Sequence, residues 1–344
     1  MKRLPEPRGA TSAFLLEALT RAPAETPETG VATWSTGTPA GDPFADEDLQ
    51  LSLWVLYELH YRGFAGVADE WEWDAGALAL RARLEDEFLA GLRAQVPMPA
   101  AVSAQEIPAA LAALIGTDTG PSVSRFLQRR ASREQFEEFV VHRSIYHLKE
   151  ADPHSWGIPR LEGRPKAALV EIQADEYGGG RVERMHSELF RTTMESLGLD
   201  SAYGAYLDQV PASTLASTNL MSYFGLHRRW LGALLGHLAI FEMTSSIPNR
   251  RYGNALRRLG GNAEATLFYD EHVLADAVHE QIAAHDLCGG FVARHPERAG
   301  DVLFGAAAGL HLDAVAAGPM LAAWERGLSS LRAVVGRAPR AIPA

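Results

Sequence analysis

Cysteine is almost missing from this chain of 344 residues: Cys288 stands alone. No internal disulfide framework or thiolate metal site can be built, and a reducing, cytoplasmic setting is expected. Positive charge is also scarce, with 32 Lys and Arg against 43 Asp and Glu and a net charge of -11. That balance argues against sequence-independent binding to nucleic acid or to an anionic membrane, because neutralising phosphates takes clustered cations. The N-terminus lacks the charged, apolar and cleavable pattern of a signal peptide, and no apolar run approaching roughly 18 residues is evident, so a soluble protein is expected. Nucleotide fingerprints are missing too. Gly178 to Gly180 follow no strand pattern and match neither a Walker nor a dinucleotide motif, so they read as a helix break. What remains is a chain with 47% hydrophobic residues, enough for a sizeable core and suited to a small-molecule partner.

Hydrophobic periodicity is helical throughout, which predicts an all-α fold. Residues 1–45 are rich in Pro, Thr, Gly and Ala and are expected to form an irregular arm. A helical subdomain is expected over 46–121, with helices from Asp46 and from about Ala75 to before Pro97. A surface connection then runs from Pro97 to Pro121. The main domain is expected over 122–332, with single helices at Ser122–Lys149 and Asn219–Ser245, a run broken by the three glycines within Ala167–Leu197, and two Ala-rich helices after Gly300. Residues 333–344 are expected to be a tail. His142 and His147 read as surface or capped residues, and Arg250 to Arg258 as a solvated edge.

The chemistry concentrates in FYDEHVLADAVHE. His272, Asp276 and His279 fall at i, i+4 and i+7, within roughly 60° of one another on a helix and on an otherwise apolar face. Glu183 and His186 are one turn apart above a stripe of Phe190, Met194 and Leu197, which turns them inward. Glu242 ends the stripe of Leu231, Leu235 and Leu238. Glu176, beside the glycines, can swing towards the same place. Buried carboxylates and imidazoles are costly unless something pairs with them. Glu176 aside, three of each, without sulfur, match two ions that keep open positions, and iron or manganese suits that set for redox work where zinc does not.

In these stretches, together with HRSIYHLKEADPHSWGIPRLEGRPK and EIQADEYGGGRVERMHSELF, and more weakly AAWERGLSSLR, the sequence resembles the haem-oxygenase-like diiron oxidases and oxygenases over roughly residues 46–332. The resemblance implies a haem-oxygenase-like helical bundle without haem, here with additional N-terminal helices. It implies two irons cycling between Fe2+ and Fe3+, held by Glu183, His186, Glu242, His272, Asp276 and His279. Glu176 is the match for an extra acid, and Glu150 a weaker one. It further implies O2 as co-substrate and an external electron donor. Too few residues follow His279 for the cupin domain of one multidomain relative, so a stand-alone oxidase is expected. N-oxygenation of an amine or amino-acid-derived substrate leads. Oxidative decarboxylation and C-C or C-N cleavage of fatty or amino acids are the alternatives within the family. Outside it stand a cofactor-free oxidase, a two-zinc hydrolase and a non-catalytic helical interaction protein. Ala/Leu faces from Leu303 onward can support a homodimer.

Overall fold

A computed structural model describes residues 3–23 and 41–333, the side chains of Asp276 and Ala277 excepted. Among the described residues the regular elements are all helical and no strand occurs. The longer helices are α1 (Ala10–Leu19), α2 (Glu47–Glu58), α3 (Ala75–Gln95), α4 (Ile107–Thr117), α5 (Val123–Arg129), α6 (Arg133–His147), α7 (Gly163–Glu176), α8 (His186–Ser196), α9 (Ala212–Leu226), α10 (Leu231–Arg258), α11 (Ala263–Gln281) and α12 (Ala299–Glu325). Side-chain oxygens start several of them: Asp46, Asp74, Ser132 and Asn262 accept from backbone N–H groups of the first turns of α2, α3, α6 and α11, satisfying donors that a helix leaves open. After α11 the helix widens into π turns over Ile282–Gly289.

Several boundaries differ from the sequence reading, each for a physical reason. The N-terminal arm contains α1, which buries Leu15, Leu16 and Leu19 against α2. Its open donors are capped from a distance, since the Asp48 carboxylate accepts from Thr11 N at 2.8 Å and Ser12 N at 2.7 Å. The expected surface connection holds α4, anchored by buried Ile107 and Leu111. The run from Ser122 is two helices, because Ser132 and Gln135 form a capping box that restarts the chain. The run from Asn219 likewise spans the break between α9 and α10, where the Arg160 guanidinium takes the Leu226 carbonyl at 3.1 Å. Helix α10 then continues over Pro248 and through Arg258, so the arginines at 250–258 are helical. One helix, α12, replaces the two expected after Gly300 and carries Pro319 within it.

The apolar runs are also longer than expected. By length and mean hydropathy, Arg228–Arg258 and Pro296–Glu325 would each suffice to cross a bilayer. They are the inner helices of the fold, with 67% and 50% of their most apolar windows buried.

Helix α10 packs along α12 on one side and α11 on the other. The α10–α12 crossing is backbone on backbone. A Cβ at Gly236 would lie 1.8 Å from the Val302 carbonyl oxygen, and one at Gly305 would lie 2.0 Å from that of Ala233. Gly305→Ala is therefore expected to cost at least about 2 kcal/mol through overpacking. Gly116→Ala, in α4 with nothing within 4 Å of its Cβ, should instead stabilise by up to about 1 kcal/mol. Urea melts of the two variants would show opposite shifts, and a shared sign would contradict the close approach.

Candidate metal centre

Four segments converge, α10 among them. The first is the turn after α6. Glu150 is followed by Ala151 at φ 73, a left-handed conformation that costs a residue with a Cβ roughly 1–2 kcal/mol. The Gln173 side-chain amide holds this turn by donating to the Ala151 carbonyl at 2.8 Å. His147, at the end of α6, donates from Nδ1 to Glu150 Oε1 at 2.9 Å and so aims the carboxylate.

The second segment is the α7–α8 connection. Helix α7 ends on Glu176, and Gly178, Gly179 and Gly180 all have positive φ. A Cβ on Gly178 would meet the Arg184 backbone carbon at 2.6 Å, so only glycine fits where the chain folds back. The glycines are thus a helix-ending device that leaves Glu176 facing inward and returns the chain to His186, the first residue of α8. Glu242 comes from the middle of α10, and His272 and His279 from two turns of α11.

These side chains form two groups whose ligand atoms all lie within 4.8 Å of one another: Glu150, Glu176, His186 and His272 in one, and Glu176, Glu242 and His279 in the other. Glu176 belongs to both. All six are buried.

The hydrogen bonds around the cluster fix the imidazole tautomers. His272 donates from Nδ1 to the Phe268 carbonyl at 2.8 Å, leaving Nε2 towards Glu150 Oε1, 3.6 Å away. His279 donates from Nε2 to Asp175 Oδ2 at 3.0 Å, leaving Nδ1 towards Glu242 Oε2 at 3.3 Å. A second carboxylate or carbonyl on the far nitrogen is the usual way a ligating histidine is oriented. His186 Nδ1 lies 2.8 Å from Glu176 Oε2, yet both atoms lack a hydrogen-bond partner of proper geometry, as do Glu150 Oε2 and His279 Nδ1. Lone pairs of buried atoms that approach without bonding point at a common centre. Three buried carboxylates call for a matching positive charge, so the donor set fits metal ions.

The electrostatics agree. Burial alone would raise the Glu150 carboxyl, but His147 and His272 hold it well below the usual carboxylate range. Burial opposes charge on His279, and the carboxylates of Glu242 and Asp175 outweigh it, pushing its pKa up to about 9. Without an ion a proton takes the place between His279 and Glu242, and a metal would displace it.

A cavity of about 160 Å³ adjoins the cluster, lined among others by Glu150, Glu176, Glu242, His272, Tyr146, His154 and Phe241. Arg143 and Asp313, paired at 3.2 Å, line it too.

The sequence profile of the iron-containing redox enzymes matches residues 137–314, just over half of the chain and a span that includes every residue of the cluster. The chain belongs to the haem-oxygenase-like iron-containing redox enzymes. It is also 29% identical over 150 residues to a nitrosourea synthase from Streptomyces achromogenes subsp. streptozoticus, a stretch covering 43% of this chain and 31% of that protein. The chain thus spans less than a third of that relative's length.

Within this redox enzyme the expected residues fare differently. His186, Glu242, His272, His279 and Glu176 are brought together, and Glu150 joins them. Glu183 is not. It sits exposed in a 3-10 turn, Val182–Arg184, and α8 begins only at His186, so the one-turn spacing does not place it beside the imidazole. The side chain of Asp276 lies outside the described residues. Sequence reasoning missed His154, buried with an unpartnered Nδ1 and joined through Nε2 to His237 Nδ1 at 3.2 Å. It stands in a single helical turn, where no periodicity marks it. His142 is also buried rather than superficial, bonded to Thr214 Oγ1 at 2.6 Å and Ser330 Oγ at 3.0 Å.

Proposed function

We propose that the protein is an O2-dependent oxidase or oxygenase with two irons, acting on a small amine or amino-acid-derived molecule by N-oxygenation. The observation that carries this reading is the sharing of Glu176 between two ligand groups beside a cavity. A bridging carboxylate is what two adjacent ions require, and the name of the nitrosourea synthase relative favours nitrogen chemistry.

Bound iron would supply the electrons that O2 needs and the oxidising power directed at substrate, with an external donor restoring Fe2+. Glu150, His186 and His272 would hold one ion, Glu242 and His279 the other, and Glu176 both. The rest falls to the protein. Leu238, Ile240, Phe241 and Leu310 line the cavity and keep water from the reacting atoms. Tyr146 keeps its proton, since burial and then the Glu150, Glu176 and Glu242 carboxylates raise its pKa far above the phenol range, so its Oη is a donor at the cavity wall. His154 is held neutral by burial, which lowers its pKa to about 4, and its unpartnered Nδ1 can accept a hydrogen bond from substrate.

The far end of the cavity favours a substrate bearing a carboxylate. Arg143 lies on α6 four residues, roughly 6 Å along the helix, before the His147 that aims Glu150. A guanidinium there takes a carboxylate in two parallel bonds, while Asp313 suits an ammonium group. The test is anaerobic reconstitution with Fe2+, an iron count, and O2 uptake during a screen of primary amines and amino acids. Two irons per chain, O2 consumption, and hydroxylamine or nitroso products are expected. Arg143→Gln should raise KM about tenfold or more for carboxylate-bearing substrates while changing kcat little. Products of decarboxylation or C-N cleavage would replace the N-oxygenation assignment, and a metal-free protein with full activity would overturn the reading.

A further inference from the structure

The cluster residues divide between two cavities that share no lining residue. Glu150, Glu176, Glu242 and His272 face the first, of about 160 Å³. His186 and His279 face another of about 410 Å³, lined also by Asp175, Gly178, Gly179, Glu183, Glu271 and Arg184. The candidate centre therefore forms the wall between two chambers.

The second chamber is built differently. Its charged lining in the metal-free protein is three carboxylates against the Arg184 guanidinium and the His279 imidazolium, a net negative balance, and it exposes Val182, Leu274 and Val278 at or near its rim. Two deeply buried imidazoles, His186 and His279, are at its inner end, each with an Nδ1 that has no hydrogen-bond partner. Asp175 spans the depth of the chamber. Its side chain is 64% exposed, yet its Oδ2 sits 3.0 Å from His279 Nε2. One carboxylate thus touches solvent and a candidate ligand together.

We propose that this acidic vestibule is the route by which divalent iron reaches the centre, with Glu183, Glu271 and Asp175 as the attracting carboxylates, while substrate uses the cavity on the other side. The inference rests on the two-metal reading. A chamber whose lining is net negative concentrates cations and speeds their capture, by roughly 10-fold at low salt. It also assigns Glu183 a role that does not require it to be a ligand.

The experiment follows uptake of Co2+ by the metal-free full chain in stopped flow, reading the visible band of the bound ion, at low and high ionic strength. The Glu183→Gln/Glu271→Gln variant should still bind two ions at saturation, with an association rate about tenfold lower at low salt and a difference that shrinks at high salt. Leu274→Trp, which adds bulk at an exposed position, should slow uptake without salt dependence. Asp175→Asn is a less clean probe because it also alters His279. An unchanged rate in both the double variant and Leu274→Trp would overturn the route. A fall in the number of bound ions in the double variant would overturn it differently, by making Glu183 or Glu271 a ligand. No Co2+ bound by the unaltered protein would instead overturn the two-metal reading on which the route depends.

Discussion

Glu176→Ala should reduce bound iron from two per chain to at most one and abolish O2 uptake, with helical circular dichroism unchanged. Among the described residues no other carboxylate belongs to both ligand groups. Removing it withdraws an oxygen from each ion and leaves His186 Nδ1 facing a void where a carboxylate oxygen stood 2.8 Å away. Changes to groups that merely orient a ligand weaken metal binding by 10–100-fold, so loss of a shared ligand is expected to cost at least about 100-fold at each position. Glu242→Ala should be milder, losing one ion and keeping the other. Glu183→Gln should keep both. Iron counts after anaerobic reconstitution separate the three, and two tightly held irons in Glu176→Ala would refute the bridging arrangement.

Lys149→Met should destabilise the protein by about 3–5 kcal/mol, the range for stripping one partner from a buried ion pair. Lys149 and Glu58 are both essentially inaccessible, with Nζ 3.4 Å from Oε2. Tyr203 donates to the same oxygen at 2.6 Å. The ammonium also lies over the Tyr61 ring at 4.3 Å, and burial lowers its pKa despite Glu58. Adding Glu58→Gln removes the orphaned charge, so the double variant should recover most of the loss in denaturant melts. Equal loss in the single and double variants would mean that packing of the lysine stem, not charge, is what matters. The pair ties α2 to the residue next to Glu150, so the N-terminal helices brace the centre.

How much of this could be read from the sequence depended on whether each signal was local. His272 and His279 were legible because one helix presents both, and Glu242 because it closes an apolar stripe. Glu176 stood out beside three glycines. Glu150 was faint. It lies beyond the end of α6, on a turn whose left-handed Ala151 has no residue preference to announce it. Glu183 misled for the opposite reason. Its spacing to His186 suits a helix, but the chain between them is a 3-10 turn followed by an extended Met185. In the fold at large, α1 escaped notice because its cap, Asp48, lies far along the chain. The α9–α10 break was hidden because His227 to Trp230 contain neither glycine nor proline. The pairing of Arg143 with Asp313, and of Lys149 with Glu58, joins residues too distant for any window to see.

The π turns at Ile282–Gly289 bear on comparison with relatives. Each such turn holds one residue more than an α turn, and the segment begins three residues after His279. A chain shorter by one residue here can tighten to α-helix and keep its axis, whereas the same loss between His272 and His279 would rotate one imidazole away from the centre. The segment is a reserve of length inside a continuous rod, and an alignment of related chains has its natural place for a gap there rather than in a loop.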